Sequence, residues 1–147
     1  MKIAIVKLSA LGDIVHAMVA LQFIKAHFPE IQIDWIVEER FAEVLENNPD
    51  INHILTVNLK SLKTNKAGIF QQIKNVRKYA LNNYDLVIDA QGLIKSAIIA
   101  KLLGKHIAGF KRLAKFSPYV AGDTFTQADC AAYVNLPLVA MASKAVL

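Results

Sequence analysis

The sequence is poor in cysteine, in charged residues and in long hydrophobic runs. Cys130 is its one cysteine among 147 residues, so no disulfide forms within the chain and no cysteine-based metal cluster is available. We therefore expect no metal site, and no motif indicates a cofactor. No uncharged apolar run reaches about 18 residues, which argues against a membrane-spanning helix. Lys7 and Asp13 interrupt the first apolar stretch, so a signal peptide is not expected either.

Apolar residues make up 54% of the chain and charged residues only 20%. This balance excludes intrinsic disorder and predicts one domain with a substantial core. The net charge of +5 is unevenly spread, because the stretch from residue 58 to residue 78 contains six basic side chains and no acid: Lys60, Lys63, Lys66, Lys74, Arg77 and Lys78. Such a patch attracts phosphate groups, although a solvated helix face after a basic loop has the same composition. Aromatic residues do not interleave the lysines, so nucleic acid is not an expected partner.

Short apolar runs alternate with segments of helical spacing along the chain. We predict strands at 2–7, 31–37, 53–57, 85–89 and 107–110, and helices at 13–28, 41–47, 68–82 and 95–103. This alternation predicts an α/β fold with a parallel, doubly wound sheet and right-handed crossovers. Ligands of such sheets bind beyond the carboxyl ends of the strands, where the loops 9–13 and 90–93 are expected.

The first of these loops departs from the known phosphate-binding loops. The stretch IVKLSALGDIVHAM, residues 5–18, has neither the three glycines of a dinucleotide-binding turn nor the Gly-Lys-Ser/Thr of a P-loop. It carries Lys7, Ser9, Gly12 and Asp13 instead. Asp13 is a candidate general base or a helix cap, and Gly12 either lets a ligand approach the backbone or makes a turn. Lys7 is a candidate anion ligand or a snorkelling lysine, and Ser9 contacts a ligand or shapes the turn.

The second loop carries Gln91, Gly92 and Lys95. A helix begins there, and helix N-termini attract anions, so these three residues are candidate substrate ligands; ordinary turn and cap chemistry is the alternative. Glu38 and Glu39 end the second predicted strand, where a solvated edge is the simplest interpretation.

Three motifs in this order resemble a known family. They are IVKLSALGD at 5–13, DWIVEE at 34–39 and YDLVIDAQGLIKS at 84–96. Together they are similar to the amino-terminal domain of the bacterial lipopolysaccharide heptosyltransferases of glycosyltransferase family 9, in particular the heptosyltransferase I group. The resemblance covers residues 1–111.

The resemblance implies a GT-B enzyme with two Rossmann-like domains, of which the first faces the Kdo-lipid A acceptor and the second binds the ADP-heptose donor. Residues 1–111 would then be the acceptor-side domain, with Asp13 as catalytic base. Lys60, Lys63 and Lys66 lie where the family places basic residues that grip acceptor phosphates. The implied activity is heptose transfer to Kdo in synthesis of the lipopolysaccharide inner core of Gram-negative bacteria. The implied location is cytoplasmic, peripheral to the inner membrane.

The chain changes character after residue 111. Thr126 and Asp129 form a capping-box-like start to an apolar helix, and this segment resembles the carboxy-terminal helical domain of glutathione S-transferases. The thiol-binding domain of that family is missing, so glutathione chemistry is not expected. We interpret 112–147 as a helical tail that is foreign to the first 111 residues, by fusion or by a sequence error, with divergence of one lineage as the alternative.

Three hypotheses follow for function. The chain is the acceptor-side part of a heptosyltransferase, a non-catalytic Rossmann-like module that binds anions or glycolipid, or a glutathione-transferase-like fusion fragment. The motifs favour the first. Since a GT-B enzyme needs a donor-binding domain of similar size, which these 147 residues do not include, we expect the chain alone to transfer no sugar.

Overall fold

A computed structural model describes residues 1–60 and 68–109 of the chain. They form a single five-stranded parallel sheet with strand order β3-β2-β1-β4-β5. The strands are β1 (Lys2–Val6), β2 (Gln32–Glu38), β3 (His53–Val57), β4 (Leu86–Asp89) and β5 (Ile107–Ala108). The helices are α1 (Leu11–His27), α2 (Gly68–Ala80) and α3 (Ile94–Leu103), and a 3₁₀ helix covers Glu39–Leu45. The predicted α/β class and all five strands are confirmed.

Two predicted elements differ in detail. The helix predicted at 41–47 is a 3₁₀ helix that follows β2 directly. Helix α1 begins at Leu11, two residues earlier than expected, so Gly12 and Asp13 lie inside its first turn. Lys63, Lys66 and the tail 112–147 lie outside the described residues.

Strand β1 occupies the centre of the sheet because it pairs with β2 on one side and β4 on the other. Its residues alternate between two packed layers. Ile3 and Ile5 contact the α1 side, where Ile14, Leu21 and Trp35 are buried. Ala4 and Val6 contact the side of α2 and α3, where Val76, Ile99 and Leu103 are buried. Burial on both faces explains why β1 is a continuous apolar run.

Helix α3 ends very close to β4. A Cβ added at Gly104 would stand 2.8 Å from Cγ2 of Val87, a side chain with no exposed surface. Gly104 is therefore required by packing.

A polar network joins the amino-terminal halves of β2 and β3 to the loop before β4. Asp34 is fully buried; its Oδ1 lies 2.8 Å from Nδ1 of His53, and its Oδ2 accepts a 2.7 Å hydrogen bond from the Tyr84 hydroxyl. Asn82 donates to the same hydroxyl at 2.9 Å. Burial raises the pKa of Tyr84 well above its usual value, so the hydroxyl remains a donor to Asp34.

Candidate active site

The loops after β1 and β4 are joined by one buried side chain at the carboxyl edge of the sheet. Oε1 of Gln91 accepts hydrogen bonds from the backbone N–H groups of Leu8 and Ser9, each at 3.0 Å. Ala90 N–H also donates to the Val6 carbonyl at 3.0 Å. The structure thus brings the two candidate loops together, and the Gln91 side-chain oxygen binds the backbone of the first loop, which is a structural role of the kind left open as the alternative for this residue.

The second loop is shaped by Asp89, which sequence reasoning missed. Its Oδ1 accepts the N–H groups of Gln91 and Gly92 at 3.1 and 3.2 Å. Gly92 has a φ of 70°, a conformation that favours glycine. An acidic residue that ends an apolar strand two or three residues before a turn is the signal that could have identified this arrangement.

Asp89 is held in a poorly solvated position. Burial raises the pKa of its carboxyl, while hydrogen bonds from Ser96, Gly92 and Gln91 and the positive charge of Lys7 oppose that rise.

Lys7 and Asp13 form an ion pair beside this loop. Nζ of Lys7 lies 3.6 Å from Oδ2 of Asp13, and the two side chains are 6% and 38% exposed. The snorkelling interpretation of Lys7 is therefore wrong, because its ammonium group is enclosed. The capping interpretation of Asp13 is also wrong, because Ala10 precedes α1 and no side chain caps that helix. Asp13 presents a partly exposed carboxylate at the end of β1, positioned by a buried lysine.

Gly12 lies next to this carboxylate in open space. Apart from the adjacent residues and the backbone of its own helix, no described atom would come within 4 Å of a Cβ at this position, and its φ is not positive. Turn geometry therefore does not require glycine here, and the open surface beside the first-turn N–H groups is accessible to a ligand.

A cleft of about 190 Å³ lies beyond the carboxyl ends of β2 and β3, next to the joined loops. Its polar lining comprises Ser9, Glu38, Arg40, Lys60, Gln91 and Lys95. The structure thus brings Lys60 and Lys95 to one cleft, whereas Lys63 and Lys66 lie outside the described residues. Arg40 was missed, since no motif marks it; its place directly after a strand that ends at this edge was the available signal.

The two glutamates at the end of β2 differ. Glu39 is exposed, as expected, and accepts a hydrogen bond from Asn58 at 2.9 Å. Glu38 is only 7% exposed, and its Oε1 accepts the Lys60 backbone N–H at 3.0 Å. The solvated-edge interpretation is therefore wrong for Glu38, which is part of the cleft wall.

Within residues 1–60 and 68–109, no three His, Cys, Asp or Glu side chains are grouped in a way that could hold a metal ion. None of the helices in these ranges reaches the length and hydropathy of a membrane span.

The family model and the similar proteins identify the same group of enzymes. The family model for glycosyltransferase family 9 (heptosyltransferase) matches residues 70–124, which extends past the boundary expected at residue 111. Lipopolysaccharide heptosyltransferase 1 of Campylobacter coli is 43% identical over 112 residues, which are 76% of this chain and 31% of that protein. The enzyme of the same name from Pseudomonas aeruginosa is 38% identical over 118 residues, 76% of this chain and 33% of that protein. The chain thus spans about a third of the length of these relatives.

Solved structures agree with the sequence matches. The Escherichia coli heptosyltransferase WaaC with ADP superposes with a TM-score of 0.81 at 26% identity, covering 93% of this chain and 47% of that one. The same enzyme with ADP-2-deoxy-2-fluoro heptose gives the same TM-score and covers 48% of that chain.

Proposed function

Since three quarters of the chain matches the heptosyltransferases of glycosyltransferase family 9 in sequence and the described residues share their fold, we propose that it is the acceptor-side domain of such an enzyme. The reaction is transfer of heptose from ADP-heptose to a Kdo hydroxyl of lipid A in inner-core synthesis. Residues 1–111 form this domain, and donor-binding residues lie beyond them.

The observation that carries the proposal is the partly exposed Asp13 carboxylate, which is paired with Lys7 in the first turn of α1, the helix that follows the Ser9 loop of the cationic cleft. A sugar hydroxyl is a weak nucleophile, and a positioned carboxylate that takes its proton speeds the attack. The acceptor oxygen then forms a bond to the anomeric carbon of heptose, the bond from that carbon to phosphate breaks, and ADP leaves. The ion pair with Lys7 holds this carboxylate in place.

Other residues at the carboxyl edge of the sheet bind the acceptor in this proposal. Gly12 and Ser9 offer backbone and hydroxyl groups, and the basic side chains offer positive charge to a carboxylated and phosphorylated glycolipid. We propose these acceptor-binding residues: Lys7, Ser9, Gly12, Lys60, Lys63, Lys66, Gln91, Gly92 and Lys95. An acceptor anchored in lipid places the enzyme at the cytoplasmic face of the inner membrane, in peripheral contact.

The test joins residues 1–111 to the donor-side part of the Campylobacter coli relative and measures ADP release with Kdo-lipid A and ADP-heptose. Asp13→Asn keeps the size of the side chain but removes the base, so we expect the rate to fall by a factor of about 10²–10⁴ while acceptor affinity changes little. Glu43→Gln, which neutralises an exposed carboxylate on the 3₁₀ helix, should leave the rate unchanged.

A near-normal rate for Asp13→Asn would reduce Asp13 to an ion-pair partner of Lys7. A fusion that binds acceptor and releases no ADP would favour the non-catalytic binding module instead.

A further inference from the structure

Cationic side chains outnumber acidic ones in the lining of the cleft beyond β2 and β3. Arg40, Lys60 and Lys95 line it beside one carboxylate, Glu38, and none of the three cations forms an ion pair with another described residue. The segment 61–67, SLKTNKA, follows Lys60 and contains no acidic residue. Because exposed cations attract anions, and these three cations exceed the one carboxylate of Glu38, the cleft has a net preference for negatively charged ligands.

Arg40 packs on an aromatic ring. Its guanidinium carbon lies 4.4 Å from the centroid of the Phe41 ring, an arrangement that holds the planar group by cation–π attraction. A guanidinium held in this way loses less freedom when it binds a carboxylate or phosphate with two parallel hydrogen bonds.

Glu38 gives the same cleft a second kind of selectivity. Its carboxylate is almost fully buried, and one oxygen is used by the Lys60 N–H. For its other oxygen, the described residues supply no hydrogen-bond donor. A buried acceptor is costly where no donor reaches it, and the negative charge of Glu38 repels an anion bound nearby. A ligand that brings a hydroxyl group to this oxygen removes both disadvantages.

We propose that Glu38 and Arg40 form a specificity-determining pair that selects a hydroxylated anion, such as a sugar acid, over a plain anion. Arg40 binds the anionic group together with Lys60 and Lys95, and Glu38 accepts a hydrogen bond from a hydroxyl of the same ligand. The identity of the biological ligand rests on the proposed function. The choice of Glu38 and Arg40 rests on the cleft lining alone.

The experiment titrates the ¹⁵N-labelled 147-residue chain with three probes at low salt and follows amide shifts by NMR. The probes are galacturonate, which has both groups; cyclohexanecarboxylate, which has only the charge; and methyl galactoside, which has only the hydroxyls. We expect galacturonate to bind about tenfold more tightly than either, because a hydrogen bond to a charged group adds to the ionic contact. The shifts should centre on Lys60, Gln91 and Lys95.

Variants separate the two roles. Arg40→Gln should weaken both acids by about threefold, as expected for loss of one accessible charge. Glu38→Gln keeps an oxygen for the Lys60 N–H and removes a negative charge, so cyclohexanecarboxylate should bind more tightly and the preference for galacturonate should disappear. Lys101→Gln removes an exposed cation from the last turn of α3 and should change none of these affinities.

Equal affinity of the wild-type chain for the two acids, or an unchanged preference in Glu38→Gln, would overturn the assignment, as would shifts centred away from the cleft. No donor sugar or turnover enters this measurement. The pair can therefore fail while the fusion enzyme still transfers heptose, and it can hold while transfer fails.

Discussion

The charged side chains Lys7, Asp13 and Asp89 meet at the carboxyl edge of β1 and β4. Lys7 is paired with Asp13 at 3.6 Å, and its charge also acts on the buried carboxyl of Asp89. The enclosed Lys7 thus interacts with the partly exposed carboxylate of Asp13 and with the buried carboxyl group of Asp89. A neutral residue at Lys7 would remove the charge that pairs with Asp13 and one of the weaker influences that oppose the raised pKa of Asp89.

Asp89 provides a pH test of this arrangement. Because burial raises its pKa in the folded chain, folding favours the protonated form, and the contribution of Asp89 to stability is complete below the ordinary carboxyl pKa. That contribution is lost as pH rises from the ordinary value through the raised one. Asp89→Asn stays neutral and keeps an oxygen for the Gln91 and Gly92 N–H groups, so the variant should gain stability relative to wild type across this window.

Urea unfolding of both proteins at a series of pH values from acid to neutral measures this difference. Asp50→Asn, at a loop position away from the site, is the control and should show no such trend. A difference that stays flat with pH, or that shrinks as pH rises, would contradict the assignment.

Sequence patterns located most residues of this edge and could not assign their contacts. Lys7, Asp13 and Gln91 were identified because they follow apolar strands, but Gln91 binds backbone groups 83 and 82 residues earlier. The burial of Glu38 likewise depends on a backbone group 22 residues later. Contacts at such separations depend on strand order and register, which local periodicity does not contain.

At the scale of elements, the strands were predictable because a parallel strand buried on both faces is a short apolar run. The start of α1 was less predictable, since Asp13 resembles a cap and the true preceding residue is Ala10. The segment after β2 was expected to form a short helix at 41–47, and it forms a 3₁₀ helix over Glu39–Leu45. The sequence thus predicted the type of an element where burial is extensive, but it did not predict where helices begin and end.

Two glycines at helix ends should respond oppositely to alanine. Gly104→Ala forces a Cβ to within 2.8 Å of buried Val87, so we expect a loss of about 1–3 kcal/mol in the free energy of unfolding. Gly12→Ala meets open space in the first turn of α1, so we expect a gain of up to about 1 kcal/mol from the better helix former. Urea unfolding of the two variants beside wild type measures both.

The Gly12→Ala variant also tests whether Gly12 contributes to acceptor binding. If the open surface serves the acceptor, Gly12→Ala in the fusion enzyme should raise the acceptor KM despite the gain in stability. An unchanged KM would show that the acceptor does not contact the surface at Gly12.

At the scale of the whole molecule, stability should decline outward from β1. This strand is hydrogen-bonded on both sides, to β2 and β4, whereas β3 pairs only with β2 within the described sheet. Native-state hydrogen exchange should therefore be slowest at the β1 amides and clearly faster in β3, because edge strands open without global unfolding. The first-turn amides of α1 are the internal reference for fast exchange. Equal protection of β1 and β3 would show that the two strands open only together.

The single tryptophan of the chain adds an optical consequence to this architecture. Trp35 has no exposed surface, and its indole N–H donates to the Lys7 carbonyl at 3.2 Å, directly beneath the ion pair with Asp13. The indole is thus a built-in fluorophore, shielded from water and from external quenchers while the sheet is intact. Its emission should report on the segment between β1 and α1, so ligand binding there and unfolding can both be followed by fluorescence in unlabelled protein, without a second indole that contributes to the signal.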